Sequence, residues 1–278
     1  MGAEADISFA KNPGFEGGKS SITPRNIYDG GACVQLNLLG ISGSPRKGNS
    51  EYLLEKAMKA AEKVAQEQIE STFYSIRGKK IGPCIACSRC IEKLEGECSI
   101  KDDFQELRDL WLSADIILYS VPVYHMSIPG QLKCFVDRLG NSNFGRYMQL
   151  FPPGEEKLPK LLKVIGSITQ GIHIHSGQEH TLTDLINHAL IMQCIPVTGD
   201  MWEAYIGCGG WTSNAGERDA LQQQYNENKY DAVIAVKAAE SVGKRAAETA
   251  LIVYDGVEKN RSKLGQDPAY KPLLDHRG

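Results

Sequence analysis

The sequence predicts an α/β fold: a doubly wound, five-stranded parallel sheet with helices on both faces. Three observations carry this. Apolar runs of strand length begin at Val34, Ile69, Asp115, Leu161 and Ile195. Between them lie segments whose apolar residues recur at helical spacing. The first run opens into a turn rich in hydroxyls and glycine that leads directly into a helix, as strand–helix units of parallel sheets do.

The elements follow in order. Residues 1–33 show no sustained periodicity and read as an extended N-terminal arm without the apolar centre of a signal peptide. The domain proper is expected over 34–255. Val34 to Ile41 is a buried strand ending in the turn 42–50. Leu53, Leu54, Ala57, Ala61, Val64 and Ala65 then share a helix face, with Asn49 or Ser50 as expected N-cap. A second strand runs from Ile69 to Ile76, and a helix from Asp102 to Leu112. The third strand spans Asp115 to Val121 and stops at Pro122; a helix is expected over Gly130 to Arg138. Residues 141–160, with Pro152, Pro153 and Pro159, read as a loop excursion. Leu161 to Ile168 is the fourth strand, His180 to Gln193 a helix, and Ile195 to Thr198 the fifth strand. A long amphipathic helix covers Asp231 to Val253, and 256–278 read as a C-terminal tail.

Composition bounds the function. The chain has 278 residues, enough for one large domain or two small ones, with 42% hydrophobic and 23% charged residues. A net charge of −3 without a basic run argues against nucleic acid. No apolar stretch approaches the ~20 residues of a membrane span. Clustered Cys-x2-Cys pairs in such a chain point to a reducing, cytoplasmic compartment.

Two segments carry chemistry. In the turn after the first strand, Ser42, Ser44, Asn49 and Ser50 offer donors, Arg46 or Lys47 can offset anionic charge, and Gly43 and Gly48 permit a tight backbone. The lysine of a triphosphate loop and the Gly-x-Gly-x-x-Gly dinucleotide fingerprint are both missing, which favours a phosphomonoester. The alternative is an ordinary strand–helix turn whose polar residues cap the helix. The second segment is Cys84-x2-Cys87-x2-Cys90-x7-Cys98. Four thiols within one short loop suit a [4Fe–4S] cluster. Structural zinc, free thiols or a redox disulfide remain as alternatives. Cys33, Cys134, Cys194 and Cys208 are scattered and read as small core residues.

The loop Ser42-Gly43-Ser44-Pro45-Arg46-Lys47-Gly48-Asn49-Ser50 resembles the FMN phosphate loop of the flavodoxin-like NAD(P)H-dependent FMN reductase superfamily. Pro122-Val123-Tyr124 with Gly130-x-Leu132-Lys133-x-Phe135-Val136-Asp137-Arg138 is similar to that family's second signature, and Ser176-Gly177-Gln178-Glu179 to its Gly-Gly-Gln-Glu element. With the cysteine run added, the chain resembles the iron–sulfur flavoproteins of anaerobic microbes. The resemblance implies a flavodoxin-like fold and FMN held by the loop. The loop of Pro122, Val123, Tyr124, His125 and Met126 then lines the ring, and Thr169, Gln170 and Gly171 approach it from the fourth strand. It further implies electron transfer between NAD(P)H or a ferredoxin-like protein and a small-molecule or protein acceptor, in a homodimer or homotetramer. The rival readings are a cluster-free NAD(P)H:flavin or quinone reductase and a non-enzymatic electron carrier. His125 reads equally as a proton donor and as a surface residue. His173 and His175 alternate on what would be an extended segment, yet read better as solvent-facing loop residues than as metal ligands. Trp202, Tyr205 and Trp211 read first as aromatic core packing, and second as the roof of a pocket.

Overall fold

In the computed structural model, which describes residues 35–93, 95–155 and 157–277, β1 (Leu36–Ser42) lies near the middle of the sheet. The expected arm over 1–33, and Cys33 with it, lies outside the described residues. The chain continues through α1 (Asn49–Val64), β2 (Ile69–Ser75), α2 (Arg89–Glu92), α3 (Phe104–Ser113), β3 (Ile116–Pro122) and α4 (Gly130–Tyr147). Then come β4 (Val164–Gly171), α5 (Gln178–Ile191), β5 (Ile195–Pro196), β6 (Cys208–Trp211), α6 (Ala220–Asn226), α7 (Tyr230–Leu264) and α8 (Lys271–His276). All strand pairs are parallel, in the order β2-β1-β3-β4-β5. The chain leaves β1 for β2 on one side and returns to β3 on the other. That makes the gap between β1 and β3 the switch point where doubly wound sheets bind ligands.

Side chains alternate between two cores, as the strand period of two requires. Leu36, Leu38, Ile116, Leu118, Val164 and Ile168 pack beneath α1 and α7. Leu39, Ile41, Ile117, Tyr119, Val121 and Ile165 pack against α3, α4 and α5. Both faces are covered, as the apolar strands demand.

The sheet has a sixth strand beyond the five expected. β3 covers one side of β4 from Val164 to Gln170. On the other side β5 pairs with Val164 and Ile165, and β6 with Ile168 to Gly171. One sheet position is thus shared by two short strands, and the segment after Trp211 is delivered to the carboxyl edge. The helix expected to end at Arg138 runs on to Tyr147, through Gly140, Asn141, Ser142 and Asn143, whose weak helix propensity hid it. β4 starts at Val164 because Leu162 takes a left-handed φ of 50° and its N–H bonds Gln193 O (3.0 Å) outside the ladder. α7 continues past Val253 to Leu264, and the expected tail is itself helical and docked, with Ala269 and Leu273 buried. Among the described residues no helix is long and apolar enough to cross a membrane.

Candidate active site

The carboxyl ends of β1, β3 and β4 open into one cavity. It is lined by Ser44, Arg46, Gly48, Asn49 and Ser50 from the first loop, Pro122, Val123 and Tyr124 from the second, and Gln170, Gly171 and Ile172 from the third. Gly48 is the N-cap of α1, and no side chain caps the helix. The first N–H groups of α1 have no acceptor within the helix and belong to the loop, as in an anion site. The expectation that Asn49 or Ser50 caps α1 is therefore corrected. Asn49 instead accepts from Leu221 N (3.0 Å) and donates to Glu217 O (3.3 Å), while Ser50 is buried with its carbonyl held by Ser120 Oγ (2.7 Å). Ser44 Oγ donates to Arg46 O (2.6 Å) and tightens the turn.

Five residues expected at the ligand stand apart from this lining. Ser42 is fully buried beside Glu51, with its Oγ 3.4 Å from Glu51 Oε1. Thr169 turns its hydroxyl to Gln178 O and Cys208 O, both at 3.4 Å. Pro45 sits exposed at the loop tip. His125 (φ 46°) and Met126 (φ 69°) form a tight left-handed turn, closed by Tyr124 N to Ser127 O (2.9 Å) and Ser127 N to Tyr124 O (3.1 Å). Consecutive left-handed non-glycine residues are costly and concentrate at functional loops. His125 is exposed and the Met126 thioether lies against Gly177, while Tyr124 stays on the cavity.

The cavity's remaining wall is Thr212, Ala215 and Gly216, delivered by β6 and missed from sequence. This strap is held by Asn214 N to Ile172 O (2.8 Å), Thr212 Oγ1 to Ala215 O (2.7 Å) and Gln224 Nε2 to Thr212 O (2.9 Å). The turn-rich run Thr212-Ser213-Asn214-Ala215-Gly216 was the available signal. Gln170 is buried, and its Oε1 has no hydrogen-bond partner among the described residues. That oxygen faces Gly210, where a Cβ would lie 2.6 Å from it with Leu53 and Ala235 next nearest. The site thus fits a flavin phosphate, with uncapped helix amides and Arg46 for the anion. Trp202 is 92% exposed and Tyr205 is also exposed, so neither packs in the core as expected. Trp211 bonds Asp231 (3.2 Å). His173 and His175 lie exposed in a turn, with His173 O accepting from Ser176 Oγ (2.9 Å) and Gln178 Nε2 (2.7 Å).

The loop after β2 brings Cys84, Cys87, Cys90 and Cys98 around a second cavity of about 130 Å³, with Arg138 and Asn141 of α4 in its wall. α4 approaches closely because Gly145 has no side chain: a Cβ there would lie 2.0 Å from Cys90 O. Ser142 Oγ donates to Gly96 O and further fixes the loop. Ser99 lies 3.3 Å from Cys87 Sγ and lowers that thiol's pKa. Asn141 Nδ2 donates to Cys84 (3.6 Å) and Arg138 Nη2 to Cys98 (3.4 Å). Burial raises the Cys90 thiol, and the other three thiols raise it further. Among the described residues no three His, Cys, Asp or Glu side chains converge on a single-ion position. A [4Fe–4S] cube gives each thiolate its own iron, so it asks for sulfurs spread around a cavity, as here. Cys194 and Cys208 are buried as expected, and burial pushes both thiols up to about 12; Cys134 is half-buried.

Residues 36–202 match the NADPH-dependent FMN reductase family. An iron–sulfur flavoprotein of Methanocaldococcus jannaschii is 31% identical over 78% of this chain and 99% of its own length. One from Archaeoglobus fulgidus is 33% identical over 66% of this chain and 85% of its own. Among solved structures, RosB superposes with a TM-score of 0.55 at 13% identity, covering 82% of this chain and 87% of RosB; it shows the shared fold. The sheet order, the cavity at its switch point and these matches together make the chain a flavin-dependent oxidoreductase of the NADPH-dependent FMN reductase family.

Proposed function

We propose that this protein is an iron–sulfur flavoprotein, moving electrons through FMN and a [4Fe–4S] cluster held by Cys84, Cys87, Cys90 and Cys98. The observation carrying this reading is the one cavity that all four thiols line. Its loop follows β2, so it leaves the same sheet edge as the loops of the flavin cavity. The names of the two archaeal relatives support it.

Ser44, Arg46, Gly48, Asn49 and Ser50 hold the FMN phosphate, with Arg46 and the first amides of α1 offsetting its charge. Pro122, Val123, Tyr124, Gln170 and Gly171 orient the ring, and the Thr212–Gly216 strap keeps water from it. FMN, when bound, supplies two-electron chemistry that can be divided into single electrons for the cluster. No side chain need act as a nucleophile. NAD(P)H or a ferredoxin-like protein is the donor, and a small molecule or protein the acceptor, in a cytoplasmic homodimer or homotetramer. Exposed Tyr124 and Ile172, both lining the cavity, support coverage by a second copy.

Iron and acid-labile sulfide per flavin in anaerobically purified protein test this reading. About four of each per FMN are expected. Alanine at Cys84, Cys87, Cys90 or Cys98 abolishes the iron and leaves the flavin; Cys134→Ala keeps both. Wild-type protein with flavin but neither iron nor sulfide retires the cluster and leaves an NAD(P)H:flavin or quinone reductase.

A further inference from the structure

We propose that Arg138, clamped by Asp102, sets the reduction potential of the cluster at Cys84, Cys87, Cys90 and Cys98 and makes it easier to reduce; this rests on the cluster reading above. Arg138 is 2% exposed, yet it lies among apolar groups with its guanidinium 4.2 Å from the Phe104 ring centroid. Burying a charge is costly unless it is paired; both terminal nitrogens of Arg138 are paired, while Nε is buried with no partner among the described residues. Nη1 donates to both Asp102 oxygens (2.8 and 2.7 Å) and to Gly82 O (3.2 Å). Nη2 donates to Ile100 O (2.9 Å) and Cys98 Sγ (3.4 Å). Gly82 stands just before Cys84 and Ile100 just after Cys98, so one planar fork staples both ends of the cysteine loop. Asp102 is fixed in turn by Gly82 N (2.8 Å) and Phe104 N (3.1 Å).

A staple alone would be satisfied by the two carbonyls and the carboxylate. The contact with sulfur brings a positive charge on a buried side chain, where charge acts more strongly than in water, against the cysteine loop. Asn141 at Cys84 and Ser99 at Cys87 contribute only neutral dipoles. Taking up one electron from a low-potential reductant gives the cysteinate-bound cluster one more negative charge. The fixed guanidinium favours that state, whereas the Asp102 carboxylate opposes it, since net charge and hydrogen bonds to sulfur tune such potentials. The two partners of one ion pair therefore act with opposite sign.

The test is an EPR-monitored, dye-mediated dithionite titration of anaerobically purified holoprotein, with iron per chain measured on the same samples. Each cluster takes one electron from dithionite. In Arg138→Met the ratio of reduced to oxidised cluster at the wild-type midpoint falls about tenfold, a midpoint about 59 mV lower for one electron. Asp102→Asn moves the midpoint up. Arg138→Lys, which keeps the charge, lies between Arg138→Met and wild type, and with Asp102→Asn decides the matter if Arg138→Met fails to fold. Iron-loaded variants whose midpoints do not move, or all move the same way, overturn the role of Arg138, because a purely structural staple predicts no opposition of sign. Wild-type protein without iron overturns the cluster reading itself, and this inference with it.

Discussion

A buried chain of three side chains shows how single residues tie the fold to pH. Trp111 Nε1 donates to Tyr119 OH (2.8 Å), and the Tyr119 hydroxyl lies 3.2 Å from His188 Nε2. Burial of the ring beside these two side chains favours neutral His188. Burial holds the imidazole pKa down to about 4 from 6.5. Between those values the unfolded chain binds the proton that the folded chain refuses, so stability falls as pH drops from about 6.5 and levels off below about 4. The loss approaches about 3 kcal/mol at roughly 1.4 kcal/mol per unit. His188→Gln keeps a polar side chain beside Tyr119 and removes the titration. Denaturant midpoints at pH 7 and pH 5 should differ less in the variant; an equal loss in both would remove His188 as the cause.

At the scale of elements, the position of the flavin loop depends on how closely α7 lies against α1. A Cβ at Gly243 would lie 2.0 Å from Ala57 O, whereas at Gly256 of the same helix it would meet nothing within 4 Å. Helix propensity alone makes Gly→Ala favourable by about 1 kcal/mol at both sites. Gly256→Ala is expected to gain about that much. Gly243→Ala is expected to lose about 2 kcal/mol instead, since overpacking forces the helices apart. It should also weaken flavin retention, because α1 carries the phosphate loop. Chemical unfolding of the two variants checks this, and a stabilised Gly243→Ala would refute the close-packing account. The periodicity that marks both helices was plain in the sequence, as were their alanine-rich faces. Their near contact was not, because Ala57 and Gly243 meet only through the tertiary fold.

At the scale of the whole molecule, the end of the sheet opposite the site is closed by the C-terminal helix. Asp115 is fully buried and accepts from Asn37 N (2.8 Å), His276 Nε2 (3.0 Å) and Arg277 Nη1 (3.1 Å). Arg277 also donates to Gln35 O (2.9 Å) and lies 4.8 Å from the Tyr254 ring centroid. Burial works to raise the Asp115 carboxyl, but His276, the Asn37 amide and Arg277 outweigh it and hold the pKa below the ordinary value. Arg277→Ala leaves that buried charge short of a partner and should cost about 3 kcal/mol. Flavin affinity should stay as in wild type, since the flavin cavity lies at the other end of the strands. Thermal unfolding and flavin titration of the variant separate the two effects; an unmoved unfolding midpoint would show the clasp to be dispensable.

What the sequence determined by itself was what short stretches encode. Strand and helix order follow from periodicity, the loop proposed for the flavin phosphate from residues 42–50, and the proposed cysteine site from spacing within residues 84–98. That Ser44, Arg46, Gly48, Asn49, Ser50, Pro122, Val123, Tyr124, Gln170 and Gly171 line one cavity follows from their place in the turn before α1 and its first residues and at the ends of β3 and β4. Only the tertiary structure decided the rest. β6 has two glycines in four residues and no strand-like pattern of its own; it exists because β5 is too short to cover β4. The strap it delivers, the Arg138 bridge to Cys98 and the Asp115 clasp all join residues far apart in the chain. Local periodicity carries no information about such pairs. Burial and charge pairing select them once the sheet has brought the partners together.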